Sequence, residues 1–136
     1  MNRKILSLLL IMVVAVTTMT VVSAADTITV NDVEFNIPDG YAPNEAISDV
    51  PYEDGGMTGK MSALSRGQDS ILIGVVDNTA GATLDNIKNS SYVDKNISGK
   101  SGILMQKEKV TFSYIEGDKI ILIFAPDEAT VEKLIK

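Results

Sequence analysis

The sequence predicts an α+β fold: an antiparallel β-sheet with one or two short helices packed on it, in a single domain after an N-terminal signal helix. Three observations predict it. Residues 27–37 alternate apolar and polar side chains around Asn31-Asp32, the pattern of a hairpin with one dry face. Residues 110–125 form two apolar runs about Glu116-Gly117-Asp118, a second hairpin with an apolar return strand. The chain opens on Arg3-Lys4, an uncharged stretch over residues 5–22 and Ser23-Ala24-Ala25, which is the layout of a secretory signal.

Cleavage after Ala24 puts Val22 and Ala24 where signal peptidase takes small or aliphatic side chains, and cleavage after Ala25 also leaves small residues at the site. The competing reading is an uncleaved anchor, because about 18 uncharged residues is near the lower limit for a bilayer span. Thr17, Thr18 and Thr20 dilute the end of that stretch and favour cleavage. No cysteine follows, which excludes a lipid-modified one. Residues 1–25 are therefore expected to be signal peptide or anchor, and residues 26–136 one domain that buries roughly two thirds of its unfolded surface. With no cysteine, packing and hydrogen bonds must hold that domain without disulfides.

In the first hairpin, Val30 opposite Val33 puts Ile28 opposite Phe35, so the apolar residues share one side and Thr27, Thr29, Glu34 and Asn36 the other. Pro38-Asp39-Gly40 ends it: proline has no N–H for a ladder, and glycine takes a conformation other residues resist. Tyr41 is placed to pack back over this turn. Residues 42–59, with two prolines, the acids Asp49, Glu53 and Asp54, and Gly55-Gly56, read as a long irregular loop. A short strand over residues 60–65 turns at Arg66-Gly67 into residues 71–76, which read as a central buried strand. Thr83 caps a short helix in which Leu84, Ile87 and Ser91 share a face. Residues 102–106 begin the last group of strands. Val110, Phe112 and Tyr114 share one face, and residues 120–124 are apolar on both sides, as an interior strand requires. The turn between them is read equally well as Glu-Gly or Gly-Asp. Pro126 stops the sheet, and Asp127 caps a closing helix that directs Val131, Leu134 and Ile135 inward, with Lys133 and Lys136 near its negative end.

The hairpin leading into F-x-I-P-x-G-Y, the isoleucine-rich strand, the short helix and "ISGKSG" followed by "VTFSYIEGDKIILIFAPDEATVEKLI" resemble the small exported α+β proteins of methanogenic archaea. More distantly, the pattern is similar to the PsbP and Mog1 type of α/β/α sandwich. The resemblance spans most of the chain after residue 25. It implies fold and export, and it carries no catalytic residues.

Charge and composition exclude several functions. Loss of Arg3 and Lys4 with the signal takes the formal charge from −6 to −8. Asp26, Asp32, Glu34, Asp39, Glu45, Asp49, Glu53 and Asp54 precede Lys60, the first base after the signal, so the first third reads as a solvated acidic face that keeps an exported protein soluble or, more specifically, as a surface for a cation or a basic partner. Nucleic acid is not an expected partner, since phosphate binding needs clustered Lys and Arg. Without histidine or cysteine there is no Ser-His-Asp triad, Cys-His pair or Cys/His zinc site. A carboxylate-dependent hydrolase would have to draw on Asp49, Glu53 and Asp54, in a stretch with little apolar sequence to raise either pKa. "SGKSG" lacks the leading glycine of a phosphate loop, since position 94 is Asp. Asp94, Asn96 and Ser98 before Gly99 copy the first half of a calcium loop, while Met105 stands where the bidentate glutamate belongs. No other cofactor is expected. Asn89-Ser90-Ser91 and Asn96-Ile97-Ser98 are both N-glycosylation acceptors. The function expected is therefore an exported, extracytoplasmic, non-enzymatic domain with a binding or cell-surface role. The alternatives are the same domain tethered through residues 5–22, its only membrane contact, and a small carboxylate-dependent hydrolase.

Overall fold

The computed structural model describes residues 27–136; the segment expected to be signal peptide or anchor, residues 1–25, lies outside them. Ten strands and two short helices follow one another: β1 (Thr27–Val30), β2 (Val33–Asn36), β3 (Ala42–Pro43), β4 (Val50–Asp54), β5 (Met57–Arg66), β6 (Asp69–Asp77), α1 (Leu84–Ile87), β7 (Val93–Ile97), β8 (Lys100–Gln106), β9 (Val110–Glu116), β10 (Lys119–Ala125) and α2 (Glu128–Leu134). The described residues are thus mostly antiparallel β-sheet with two short helices. Strands β3 to β10 make one eight-stranded sheet in the order β3-β5-β6-β10-β9-β8-β7, with β4 also paired to β5, while β1 and β2 form a separate ribbon.

Tight hairpins build most of this sheet, and turn chemistry sets their registers. Asn31 and Asp32 both take positive φ, as do Gly55-Gly56 and Ser98-Gly99, the requirement of a two-residue type I′ loop. Val30 pairs with Val33 and Ile28 with Phe35, the register expected from the alternation. At the second turn Glu116 pairs with Lys119, so Gly117-Asp118 is the loop, and Gly117 has φ 61°. Strand β10 lies between β6 and β9, the interior place its apolar run requires.

One face of the sheet carries Leu64, Ile71, Ile73, Val75, Leu104, Val110, Phe112, Tyr114, Ile121 and Ile123. The β1–β2 ribbon and α2 cover it, burying Val30, Phe35, Val131, Leu134 and Ile135 against it, and Phe35 bridges to Ile135. Asp127 caps α2 by accepting a hydrogen bond from the Thr130 N–H at 2.8 Å. The opposite face is covered in part. There Val76, Ile120 and Leu122 pack with Tyr52, Met57, Ala82, Ile87 and Ile115. The loop that brings Ala82 across is tied by Asn78, whose side chain exchanges two hydrogen bonds with the Ala82 backbone.

Three expectations need correction. Residues 42–59 are not an irregular loop. They run as an edge along β5, with Ala42 opposite Ser65, the Asn44 N–H donating to the Ala63 carbonyl, the Ala63 N–H donating to Ile47, and Val50 opposite Met61. Pro43 and Pro51 interrupt the ladder and masked it in the sequence, since proline fits only an edge strand. The short strand expected over residues 60–65 is in fact the ten-residue β5. The first helix is a single turn that ends at Ile87, so Ser91 lies beyond it and is exposed.

Candidate functional site

The F-x-I-P-x-G-Y segment forms a structural corner. The Tyr41 N–H donates to the Pro38 carbonyl at 3.0 Å, Gly40 has φ 83°, and Tyr41 folds back into the core. Arg66 lies over the Tyr41 ring, 4.5 Å from its centroid, and donates to the Asp39 carbonyl. Burial pushes the Tyr41 phenol up, against the opposing pull of Arg66. Its buried hydroxyl has no hydrogen-bond partner among the described residues.

A second polar group joins the ribbon to the sheet. The Asn31 side chain donates to the Val75 carbonyl at 3.0 Å and to Asp77 Oδ1 at 3.2 Å, and Lys119 pairs with the same Asp77 oxygen. The hydrogen bond from Lys119 holds the Asp77 carboxyl below its ordinary value, and the same bond raises Lys119. Hydrogen bonds from Thr130 likewise lower Asp127. The Tyr114 phenol is pushed up by burial, with Glu116 adding to the rise. Asp77 and Lys119 thus tie the ribbon to the sheet, while Asp127 caps its own helix and Tyr114 fills the core.

The carboxylates proposed for hydrolysis are arranged along the β4 edge. Glu53 and Asp54 are neighbours in an extended strand, so their side chains point to opposite faces of the sheet. Asp49 precedes the strand with φ 52°, its N–H donating to the Ser62 hydroxyl at 2.9 Å. Glu45, Asp49, Glu53 and Asp54 are all exposed. This edge carries four of the eight acids of the first third, while Glu34, on the ribbon, pairs with Lys136 at 3.3 Å.

The candidate calcium residues sit on β7 and its turn. Asp94 and Asn96 lie in the strand, opposite Ile103 and Ser101, whereas Ser98 is in the turn. Asp94 is engaged by Lys88 at 2.8 Å, Asn96 donates to the Ser101 hydroxyl at 3.3 Å, and Ser98 donates to the Glu132 carbonyl at 2.9 Å. The three oxygens thus face separate partners, and among the described residues no group of three acidic side chains is placed to hold a metal. Asn89, the other glycosylation candidate, lies in the exposed loop between α1 and β7.

Sequence reasoning missed the open end of the second face. Leu72 pairs with Phe124, Phe124 with Thr111, and Thr111 with Met105, which makes one row across four strands. Phe124 keeps 39% of its surface exposed. A depression of about 380 Å³ adjoins it, lined by Met105, Lys107, Glu108, Lys109, Val110, Thr111 and Phe124. The apolar run of β10 marks an interior strand without saying which of its two faces is covered. Comparison with known protein families, curated proteins and solved structures finds no match to this chain.

Proposed function

We propose that the protein is an exported, extracytoplasmic domain that acts by binding or as part of the cell surface, without catalysis of its own. The observation that carries this reading is the use made of its titratable groups. Asp77 pairs with Lys119 and with Asn31 of the ribbon, Asp127 is engaged by Thr130 as the cap of α2, and Tyr114 is buried in the core, whereas a catalytic pair needs perturbed groups facing a common cleft. The charge layout supports a binding role: Glu45, Asp49, Glu53 and Asp54 line the exposed β3–β4 edge, where a cation or a basic partner would be attracted. The basic, apolar and small-residue order of residues 1–25 supports export, and so does the resemblance to small exported archaeal proteins.

The test is the intact mass of the native protein in separated membrane and soluble fractions. A soluble species beginning at Ala25 or Asp26 is the expected result. A cytoplasmic species that retains Arg3 and Lys4 overturns the export reading. A membrane species that retains them selects the tethered form, for which the uncharged stretch over residues 5–22 is near the lower limit of length. The hydrolase alternative requires a hydrolytic activity lost on Glu53→Gln or Asp54→Asn.

A further inference from the structure

We infer that Asn89 is a site of N-linked glycosylation and that Asn96, the second acceptor motif, is not. This inference rests on the export reading above and goes beyond it by separating two motifs that are equivalent in sequence. An acceptor motif must be lifted into the transferase's site as a short, accessible turn. Asn89, Ser90 and Ser91 are all exposed, and so are Asn96 and Ser98, so the two motifs differ in backbone setting and in their middle residue. The Ser91 N–H donates to Asn89 Oδ1 at 2.8 Å, and the Tyr92 N–H donates to the Asn89 carbonyl at 3.1 Å, so the motif is already a turn. The hydrogen bond to Oδ1 leaves Asn89 Nδ2, the nucleophile, with no hydrogen-bond partner among the described residues. An ion pair between Lys88 and Asp94 joins the two ends of this loop.

The Asn96 motif is built into the fold. Asn96 and Ile97 are paired with Ser101 and Lys100, Asn96 Nδ2 donates to Ser101, and the Ser98 hydroxyl is committed to the Glu132 carbonyl of α2. Its middle residue, Ile97, is 3% exposed and belongs to the main core. Presenting this motif means stripping β7 from β8 and drawing a core side chain into water.

The reaction at Asn89 forms a bond from Nδ2 to the anomeric carbon of a lipid-phosphate-linked saccharide. The bond from that carbon to the phosphate oxygen breaks, its electron pair leaves on the lipid phosphate, and the amide gives up one proton. No oxidant or reductant is needed.

Trypsin places the two motifs on separate peptides, residues 89–95 and 96–100, because cleavage follows Lys88, Lys95 and Lys100. The experiment is mass spectrometry of these peptides from the full native protein, purified from its own cells and separated by cell fraction. The expected result is a saccharide mass on residues 89–95 and the bare mass for residues 96–100. In expressed variants, Asn89→Gln and Ser91→Ala lose that mass and Asn96→Gln retains it. An exported protein with both peptides bare, or with saccharide on residues 96–100, overturns the inference while leaving export intact. A cytoplasmic chain that retains Arg3-Lys4 overturns both.

Discussion

Replacing Gly102 by alanine tests the packing of the sheet at a point where the structure leaves no room. Gly102 lies in β8 opposite Tyr114, and a Cβ built on it falls 2.3 Å from the Ser113 carbonyl oxygen and 2.8 Å from the Phe112 ring. Phe112 leans across the glycine and stacks tilted against Tyr114, with centroids 5.6 Å apart. Relief therefore requires moving a ladder carbonyl by about 1 Å or turning a fully buried ring. Overpacking of this kind costs about 1–3 kcal/mol, and the reduced entropy of the unfolded chain returns about 0.4–1 kcal/mol. The net expectation is a loss of about 1–2 kcal/mol. At about 2.1 cal/mol/K per residue, a domain of about 110 residues loses roughly 4 °C per kcal/mol, so Tm should fall by about 4–9 °C. Gly74→Ala is the internal control, also on an interior strand without positive φ. Its Cβ meets only the edge of the Tyr52 ring, at 3.1 Å, and Tyr52 is a half-buried side chain on an edge strand that can swing aside. Thermal and urea unfolding of parent, Gly102→Ala and Gly74→Ala should rank Gly102→Ala as clearly the least stable, with an unchanged urea m value. Equal midpoints for the two variants, or a rise for Gly102→Ala, would refute the reasoning.

Gly59→Ala should be still more damaging, because its Cβ would lie 1.9 Å from the Val75 carbonyl oxygen; failure to see at least the Gly102→Ala loss in urea unfolding contradicts the close approach of β5 and β6. Asn31→Gly keeps a residue suited to φ 46° but removes the hydrogen bonds to Val75 and Asp77. It should lower stability by about 1–2 kcal/mol and speed amide exchange in β1 and β2. Asp127→Ala removes the cap of α2 and should cost about 0.5–2 kcal/mol, read as a lower Tm. The pH dependence follows from signs. The lowered carboxyls of Asp77 and Asp127 contribute stability that is present above about pH 4 and lost as pH falls through their folded values. The raised Lys119 contributes stability that is present below about pH 10 and lost as pH rises through its folded value. With neither histidine nor cysteine in the chain, Tm should be nearly flat from pH 5 to pH 8. Asp77→Asn should weaken the acid-side decline, and a steep midrange dependence would contradict these pairings.

The sequence disclosed those elements whose local chemistry and burial agree. In the β1–β2 ribbon, turn residues that accept positive φ coincide with strict alternation, so the register of Ile28 on Phe35 could be written down before the structure. In β9 and β10 the apolar runs marked the strands, but Glu-Gly and Gly-Asp loops fitted equally, and only the pairing of Glu116 with Lys119 fixes the register. The β3–β4 edge was illegible because its ladder is carried by β5: Pro43 and Pro51 spoil the local signal, while the Asn44 and Ala63 hydrogen bonds across to β5 hold the edge in place. The candidate calcium segment is the sharpest case. Oxygen-bearing residues at positions 94, 96 and 98 are what a cation loop needs, since alternate residues curl inward around the ion. The same spacing is the period of an extended strand, in which alternate residues share one face. A glycine after the third position serves both, as the bend of the ion loop or as the second residue of a two-residue hairpin. Only Ile97 distinguishes them locally: an apolar residue between two polar ones is idle in an ion loop but has a core to fill in a strand, and it is Ile97 that lies buried against Leu104 and its neighbours. The partner strand that completes the choice, Lys100–Gln106, begins one residue past that glycine. Reading the two segments together as one hairpin, with Ser98-Gly99 as its turn, was therefore the step the alternation itself permitted, and it makes the two acceptor asparagines, seven residues apart in sequence, differ in whether a transferase can reach them.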